Sequence, residues 1–118
     1  MLPTSKDESL NELQNLNFRF ETQLQIAKDF AIHGFEFHPF FHQETLEIDT
    51  LVNDVMEAIV YFLEHKFTSW QPLLYTIDIS EKNYKKHLST ESNDWVYQFT
   101  WAIIQREAQK VFFKKHYK

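Results

Sequence analysis

The sequence predicts a mostly α protein: a small helical bundle of three long helices plus one short helix, with one extended segment. Three observations predict it. Apolar residues recur at spacings of three and four along three stretches, the signature of helices with one buried face. Glycine occurs once in 118 residues, against a usual share of about 7%, which leaves little material for a sheet built on tight glycine hairpins. Twelve phenylalanines and an aromatic content of 17% provide the apolar volume of a packed core and argue against disorder. The length suits a single globular domain over residues 1–118, and no repeat, linker or low-complexity tract divides it. The alternative is an α+β fold with strands near residues 17–26, 73–79 and 95–103.

The first helix is expected over residues 5–33. Leu10, Leu13, Leu16, Phe20, Leu24, Ala27 and Ala31 mark its inner face. Ser5 or Asp7 is the expected cap, and Asp7 and Glu8 suit the positive end of the helix dipole. Gly34 follows as the left-handed C′ residue, and Phe35 behind it offers the hydrophobic contact of a Schellman motif. Within this stretch Phe18, Phe20, Thr22, Leu24 and Ile26 also alternate with polar residues, a strand pattern. The helix is preferred because no turn residue interrupts the run into Ala27 and Phe30.

Residues 35–43 hold four phenylalanines and Pro39, which disfavours helix at His38. They are expected to form a packed connection with all four rings tucked in. The second helix is expected over residues 45–66, capped by Thr45 or Asp49. Ile48, Val52, Val55, Ile59, Phe62 and Leu63 point inward, and Leu51, Met56 and Val60 widen that face. Leu73, Tyr75, Ile77 and Ile79 alternate with Leu74, Thr76 and Asp78, the best strand or extended candidate. Ser80 then caps a short helix over residues 81–88, and residues 89–94 form a polar loop in which Ser92, Asn93 or Asp94 caps the final helix. That helix, Trp95–His116, carries a stripe of Tyr97, Trp101, Ile104, Ala108, Val111 and Phe112. Its first half is apolar almost all round, so it is expected to be buried on several sides or against a second chain.

Composition excludes several function classes. With no cysteine there is no disulfide, thiolate metal site or cysteine nucleophile. No serine sits in a nucleophile elbow; the serines read as caps. No signal peptide opens the chain, and the longest apolar run, residues 58–63, is far below the ~20 residues of a membrane span. A cytoplasmic protein with no membrane contact is the expectation, and no cofactor is implied. The net charge of −5 is divided unevenly: residues 1–66 hold 4 basic and 12 acidic groups, residues 67–118 hold 8 and 5. An acidic chain is a poor partner for nucleic acid, whose binding depends on counterion release by Lys and Arg.

Three constellations carry chemistry. His33, Glu36, His38 and His42 fall within ten residues, with Glu44 and Glu47 after them; imidazole and carboxylate suit zinc, iron or nickel if three or four converge. The spacing matches no metal motif, and Pro39 separates His38 and His42 from a shared helical face. Glu47, Asp54, Glu57 and Glu64, with Tyr61, form an acidic stripe on the second helix, within about 100° at 100° per residue. Arg106, Lys110 and Lys114 form a basic stripe on the last helix, beside Lys115, His116 and Lys118 and interleaved with Phe112, Phe113 and Tyr117. The two stripes are expected to face each other, within one chain or across a homodimer. Trp95, Phe99 and Trp101 are the expected core or interface anchors. The leading expectation for function is a non-catalytic protein–protein interaction or self-assembling module, a homo-oligomer. A metal-binding protein or metal-dependent enzyme using the histidine loop comes second, and a nucleic-acid accessory using the basic helix third.

Overall fold

The structure is a computed structural model and describes residues 6–80 and 95–116. Five α-helices make up the described fold: α1 (Lys6–Glu12), α2 (Leu16–Ile32), α3 (Ile48–His65), α4 (Trp70–Ile77) and α5 (Trp95–His116). A 3-10 turn, Pro39–His42, lies between α2 and α3, and a second, Phe67–Ser69, leads into α4. No strand occurs among the described residues, so the mostly α expectation holds and the α+β alternative falls. The expected short helix at 81–88 and the loop at 89–94, with Ser92, Asn93 and Asp94, lie outside the described residues, as does Ser5; Ser80, the expected cap of the short helix, is exposed.

The first helix is broken where a continuous one was expected. Asn15 accepts a hydrogen bond from the Phe18 amide at 3.1 Å and caps α2, while the Gln14 and Asn15 amides close tight turns onto Asn11 and Glu12. Asparagine is among the strongest N-caps and a weak interior former, so the chain restarts at this point. The restart turns the expected inner stripe outward. Leu16 is 60% exposed, Leu24 and Ala31 are exposed, Phe20 is half-buried, and only Ala27 of that part is buried. The inward face of α2 is instead Phe18, Ile26 and Phe30 together with Arg19, Thr22, Gln23, Gln25 and Asp29.

The helix stop is as expected. Gly34 sits at φ +83°, its amide donates to Ala31 O, and the Phe35 amide donates to Phe30 O at 3.1 Å, the bond pattern of a Schellman motif. The Phe35 ring meets Phe30 edge-on at 6.1 Å. In the connection that follows, Phe37 stacks on the fully buried Phe41 at 3.9 Å, but Phe40 is 64% exposed. The 3-10 turn places Phe40 and Phe41 on different sides, so only part of the aromatic run is tucked in. Helix α3 buries most of its expected face, with Leu51, Val52, Val55, Ile59 and Phe62 buried; Ala58 joins them, and Val60, expected to widen the face, is exposed. Its N-cap residue is Glu47, through the backbone alone, rather than Thr45 or Asp49; Asp49 lies in the first turn.

The expected strand at 73–79 is mostly helix. Trp70, Leu73, Leu74 and Ile77 are buried at i, i+3, i+4, i+7, and Tyr75 is 90% exposed. The helical spacing begins at Trp70, ahead of the alternating run, and Pro72 is tolerated because a first-turn residue has no helical acceptor for an N–H. The helix stops at Asp78, φ +72°, whose amide donates to Leu74 O and Tyr75 O; the Ile79 amide donates to Leu74 O. Arg106 holds this left-handed aspartate with bonds to its carbonyl at 3.1 Å and its carboxylate at 2.6 Å.

Helix α5 packs against α1, α2, α3 and α4. Phe99, Ile103 and Ile104 are fully buried in the main core, where Trp70 and Phe99 rings lie 5.6 Å apart. Phe18, Ala108, Val111 and Phe112 form a satellite cluster further along. At the other edge Lys6 donates to the Tyr97 hydroxyl at 3.0 Å and lies 5.4 Å from the Trp101 ring centre, fastening α1 to α5.

A buried polar seam joins α2 to α5. Lys110 Nζ lies 2.5 Å from Asp29 Oδ2 and 3.2 Å from Glu107 Oε1, and donates to Thr76 O at 3.1 Å. Gln25 donates to Asp29 at 3.1 Å and accepts from Lys114. Glu107 is fully buried, and that burial, reinforced by the neighbouring Asp29 carboxylate, holds its carboxyl well above the usual range despite the opposing pull of Lys110. Burial pushes Lys110 down, but Glu107 and Asp29 together hold it above its ordinary value.

Two predictions follow from these contacts. Gly34→Ala should cost about 1–2 kcal/mol in denaturant melts, because a Cβ in left-handed backbone clashes with its own carbonyl, while the near contact with Lys66 Nζ is to the mobile end of a side chain. Glu107 makes stability fall as pH rises from about 4.3 through its raised folded value, since over that window the unfolded chain ionises this group and the folded chain does not. Glu107→Gln should flatten that slope and stabilise the fold at pH 8 by about 1 kcal/mol, whereas Lys110→Met should cost about 3 kcal/mol by stranding Asp29. Thermal melts of both variants from pH 4 to 9 check the pair (pH range about that of a standard buffer series).

Candidate functional site

The 35–38 connection and the outer face of α3 enclose a cleft of ≈ 250 Å³. Its walls come from two places in the chain. The Schellman turn delivers Phe35, Glu36, Phe37 and His38 in extended backbone ahead of Pro39. Helix α3 delivers Asp54, Glu57 and Tyr61, which the i, i+3, i+7 spacing puts on one side of the helix, away from its core face.

The floor is aromatic. Phe35 meets Phe37 edge-on at 4.9 Å and lies tilted against Tyr61 at 5.5 Å. Behind them Phe30 and Phe62 close the core, 5.8 Å apart. The rim is acidic: Glu36 comes from the connection and Asp54 and Glu57 from α3. His38 Nε2 and Asp54 Oδ2 are 2.7 Å apart, and the Asp54 side chain is largely shielded from solvent. The imidazole thus fixes one carboxylate of the rim. Among the described residues no lysine or arginine forms an ion pair with Glu36, Asp54 or Glu57.

The cleft unites two constellations that the sequence presents as separate. Glu36 and His38 come from the histidine loop, and Asp54 and Glu57 from the acidic stripe. The rest of each set lies elsewhere. His33 Nε2 is 2.6 Å from Thr76 Oγ1 and ties α2 to α4, and His42 is exposed beside the edge of Phe41. Among the described residues no three His, Asp or Glu side chains gather closely enough to hold a metal ion, so His33, Glu36, His38 and His42 do not form the expected centre. Glu47 precedes α3 as its exposed N-cap residue, and Glu64 is exposed near His65.

The basic stripe does not face the acidic one within the chain. Arg106 binds Asp78, Lys110 binds Asp29, Lys114 binds Gln25 and Lys115 lies 3.3 Å from Glu21. Helix α3 meets α5 through its apolar side, which turns Asp54 and Glu57 the other way. Of the three expected anchors, Phe99 and Trp101 are buried in the chain's own core and Trp95 is half-buried against it.

A second cavity of ≈ 380 Å³ lies at the end of α4, lined by Gln71, Leu74, Tyr75, Asp78, Ile79 and Ser80. Its one carboxylate among the described residues, Asp78, is already held by Arg106. The cleft at α3 is chemically the richer of the two. It lies below the ~300–1,000 Å³ of a drug-sized ligand pocket, a size that suits one side chain. Among the described residues that line it, no serine or cysteine accompanies the histidine–aspartate pair. Ring faces below and carboxylates above favour an organic cation. Comparison with protein-family models, curated proteins and solved structures finds no match, and the chemistry of this cleft is the guide to function.

Proposed function

We propose that this chain is a non-catalytic protein-interaction module that captures a cationic side chain of a partner protein in the cleft between the 35–38 connection and α3. The observation that carries the reading is the meeting of three carboxylates, none paired with a lysine or arginine among the described residues, over a floor of Phe35, Phe37 and Tyr61. Clustered like charges raise the local potential and steer an oppositely charged partner, and an aromatic floor adds contact area at low entropic cost. The acidic first half of the chain extends that field. The competing readings have less support. The histidine loop does not converge, and the basic stripe that nucleic acid would need is engaged with Asp78, Asp29 and Glu21.

Self-association is a second reading, favoured by one observation. The outward side of α2 exposes Leu16 and Leu24, in line with the half-buried Phe20. A homodimer pairing these helices would cover an apolar face that the fold leaves open.

The cleft reading predicts that an acetylated pentapeptide of alternating Gly and Lys or Arg shifts the amide resonances of Glu36, His38, Glu57 and Tyr61, and that an acidic counterpart does not. Glu36→Lys combined with Glu57→Lys, both at exposed positions, should abolish the shifts, and added salt should weaken them. Resonances in the cleft that ignore the basic peptide would refute the reading. For self-association, light scattering should give twice the monomer mass, and Leu16→Glu with Leu24→Glu should restore the monomer; a monomer at every concentration removes it.

A further inference from the structure

We infer that the cleft at α3 is built for an arginine guanidinium in preference to a lysine ammonium, an inference that rests on the cation-binding reading above and narrows it. Three features of the cleft select between the two cations.

The first is the floor. Phe35 stands at 79° to Phe37 and 57° to Tyr61. Of the three rings Tyr61, 42% exposed, has the accessible face, since Phe37 is 7% exposed and already lies against Phe41 and Phe30. A planar, weakly hydrated guanidinium stacks on such a face without giving up much solvation, whereas an ammonium keeps its water and approaches as a point charge.

The second is the rim. Glu36 reaches the cleft from the connection, and Asp54 and Glu57 from successive turns of α3, so acceptors lie on more than one side of the bound cation. Five N–H donors fixed in one plane can serve carboxylates on several edges at once while the plane lies on a ring. Three ammonium donors on a single nitrogen cannot spread in that way.

The third is preorganisation. His38 holds Asp54 through Oδ2 at 2.7 Å and takes only one of the two carboxylate oxygens. The carboxylate is therefore oriented before the ligand arrives, which rewards a ligand of fixed fork geometry more than a freely rotating one. His38 is a positioning residue in this scheme. The cleft volume of ≈ 250 Å³ accommodates the guanidinium and the methylenes next to it.

The test uses the intact chain, labelled with nitrogen-15 and titrated with N-acetyl-arginine amide, N-acetyl-lysine amide and N-acetyl-citrulline amide. Arginine should shift the Glu36, His38, Glu57 and Tyr61 amides with a Kd about fivefold or more below that of lysine, and the uncharged citrulline isostere should leave them in place. Lysine binding as tightly as arginine would overturn the guanidinium inference and leave the cation-binding reading standing. No response to either cation would overturn both. A second variant separates stacking from charge. Tyr61→Leu at this exposed position should weaken arginine several-fold and lysine less than twofold, with helical circular dichroism unchanged. Equal losses for the two cations would refute the stacking role.

Discussion

Helix α2 turns polar side chains into the protein, and the rest of the structure is arranged to satisfy them. Thr22, Gln23, Gln25 and Asp29 are buried along one face. A buried polar group without a partner costs about 1–3 kcal/mol, and an unpaired charge more, so each of these positions demands a specific neighbour. Thr22 solves the problem locally by donating to Phe18 O at 2.9 Å. Gln25 and Asp29 do so only in part, through the bond between them, and their remaining partners are Lys114 and Lys110 on α5. Apolar contacts alone would tolerate sliding of one helix along another. Two cations spaced four residues apart, matched to an amide and a carboxylate also four apart, admit one register.

The same face builds the cleft at a distance. Gln23 donates to Phe41 O at 3.0 Å and to Gln43 O at 2.9 Å, which pins the C-terminal end of the 3-10 turn onto α2. Phe41, so held, stacks on Phe37, and Phe37 meets Phe30 at 5.2 Å. The backbone between Gly34 and Pro39 is thereby fixed at one end by the Schellman bonds and at the other by Gln23. Glu36 and His38 ride on this anchored stretch and face α3. A polar residue buried on one helix thus sets the separation of acidic groups carried by two other elements. This is the kind of rigid support that lets a shallow site discriminate between ligands of like charge.

How much of this is legible in the sequence depends on whether one signal acts alone. In α3 the apolar spacing has no competitor, and most of its face is readable from Leu51 to Phe62, with Ala58 buried in addition and Val60 exposed. Gly34 is equally plain because a lone glycine after a helical run has few other uses. In α2 two signals compete. The apolar stripe through Leu16, Phe20 and Leu24 is the more regular one, yet the buried side carries Gln23, Gln25 and Asp29, whose partners are some eighty residues away in α5 or lie in the following turn. Only Glu107 hints at the exchange, being an acid set among Ile103, Ile104, Ala108 and Val111 on a buried face. Segment 70–77 was open to misreading for a different reason: alternation and helical spacing coincide at Leu73 and Ile77, and Trp70 and Leu74 decide between them. The cleft residues are individually conspicuous, as histidine-loop and acidic-stripe members. Their union depends on how the connection folds back on α3, and neither pattern encodes that alone.

The aromatic surplus has an account inside one chain. Helix α5 is covered from several sides by α1, α2, α3 and α4, and Trp70, Trp95 and Phe99 fill the space there with few side chains. A ring buries more area per residue than an aliphatic side chain and loses little rotamer entropy in doing so, which suits a small core that several helices share. Apolar richness at the start of α5 is therefore a property of the core, and it no longer points to a partner. What does point outward is charge: α5's own cations are answered by α2 and by Asp78, while Glu36, Asp54 and Glu57 stand together without a lysine or arginine among the described residues. Like charges held close raise the energy of the free protein, and a cation supplied from outside relieves that repulsion as it binds. Excess acid at one cleft, set against α5 cations that are already answered, supports the proposed interaction surface better than any excess of apolar residues does.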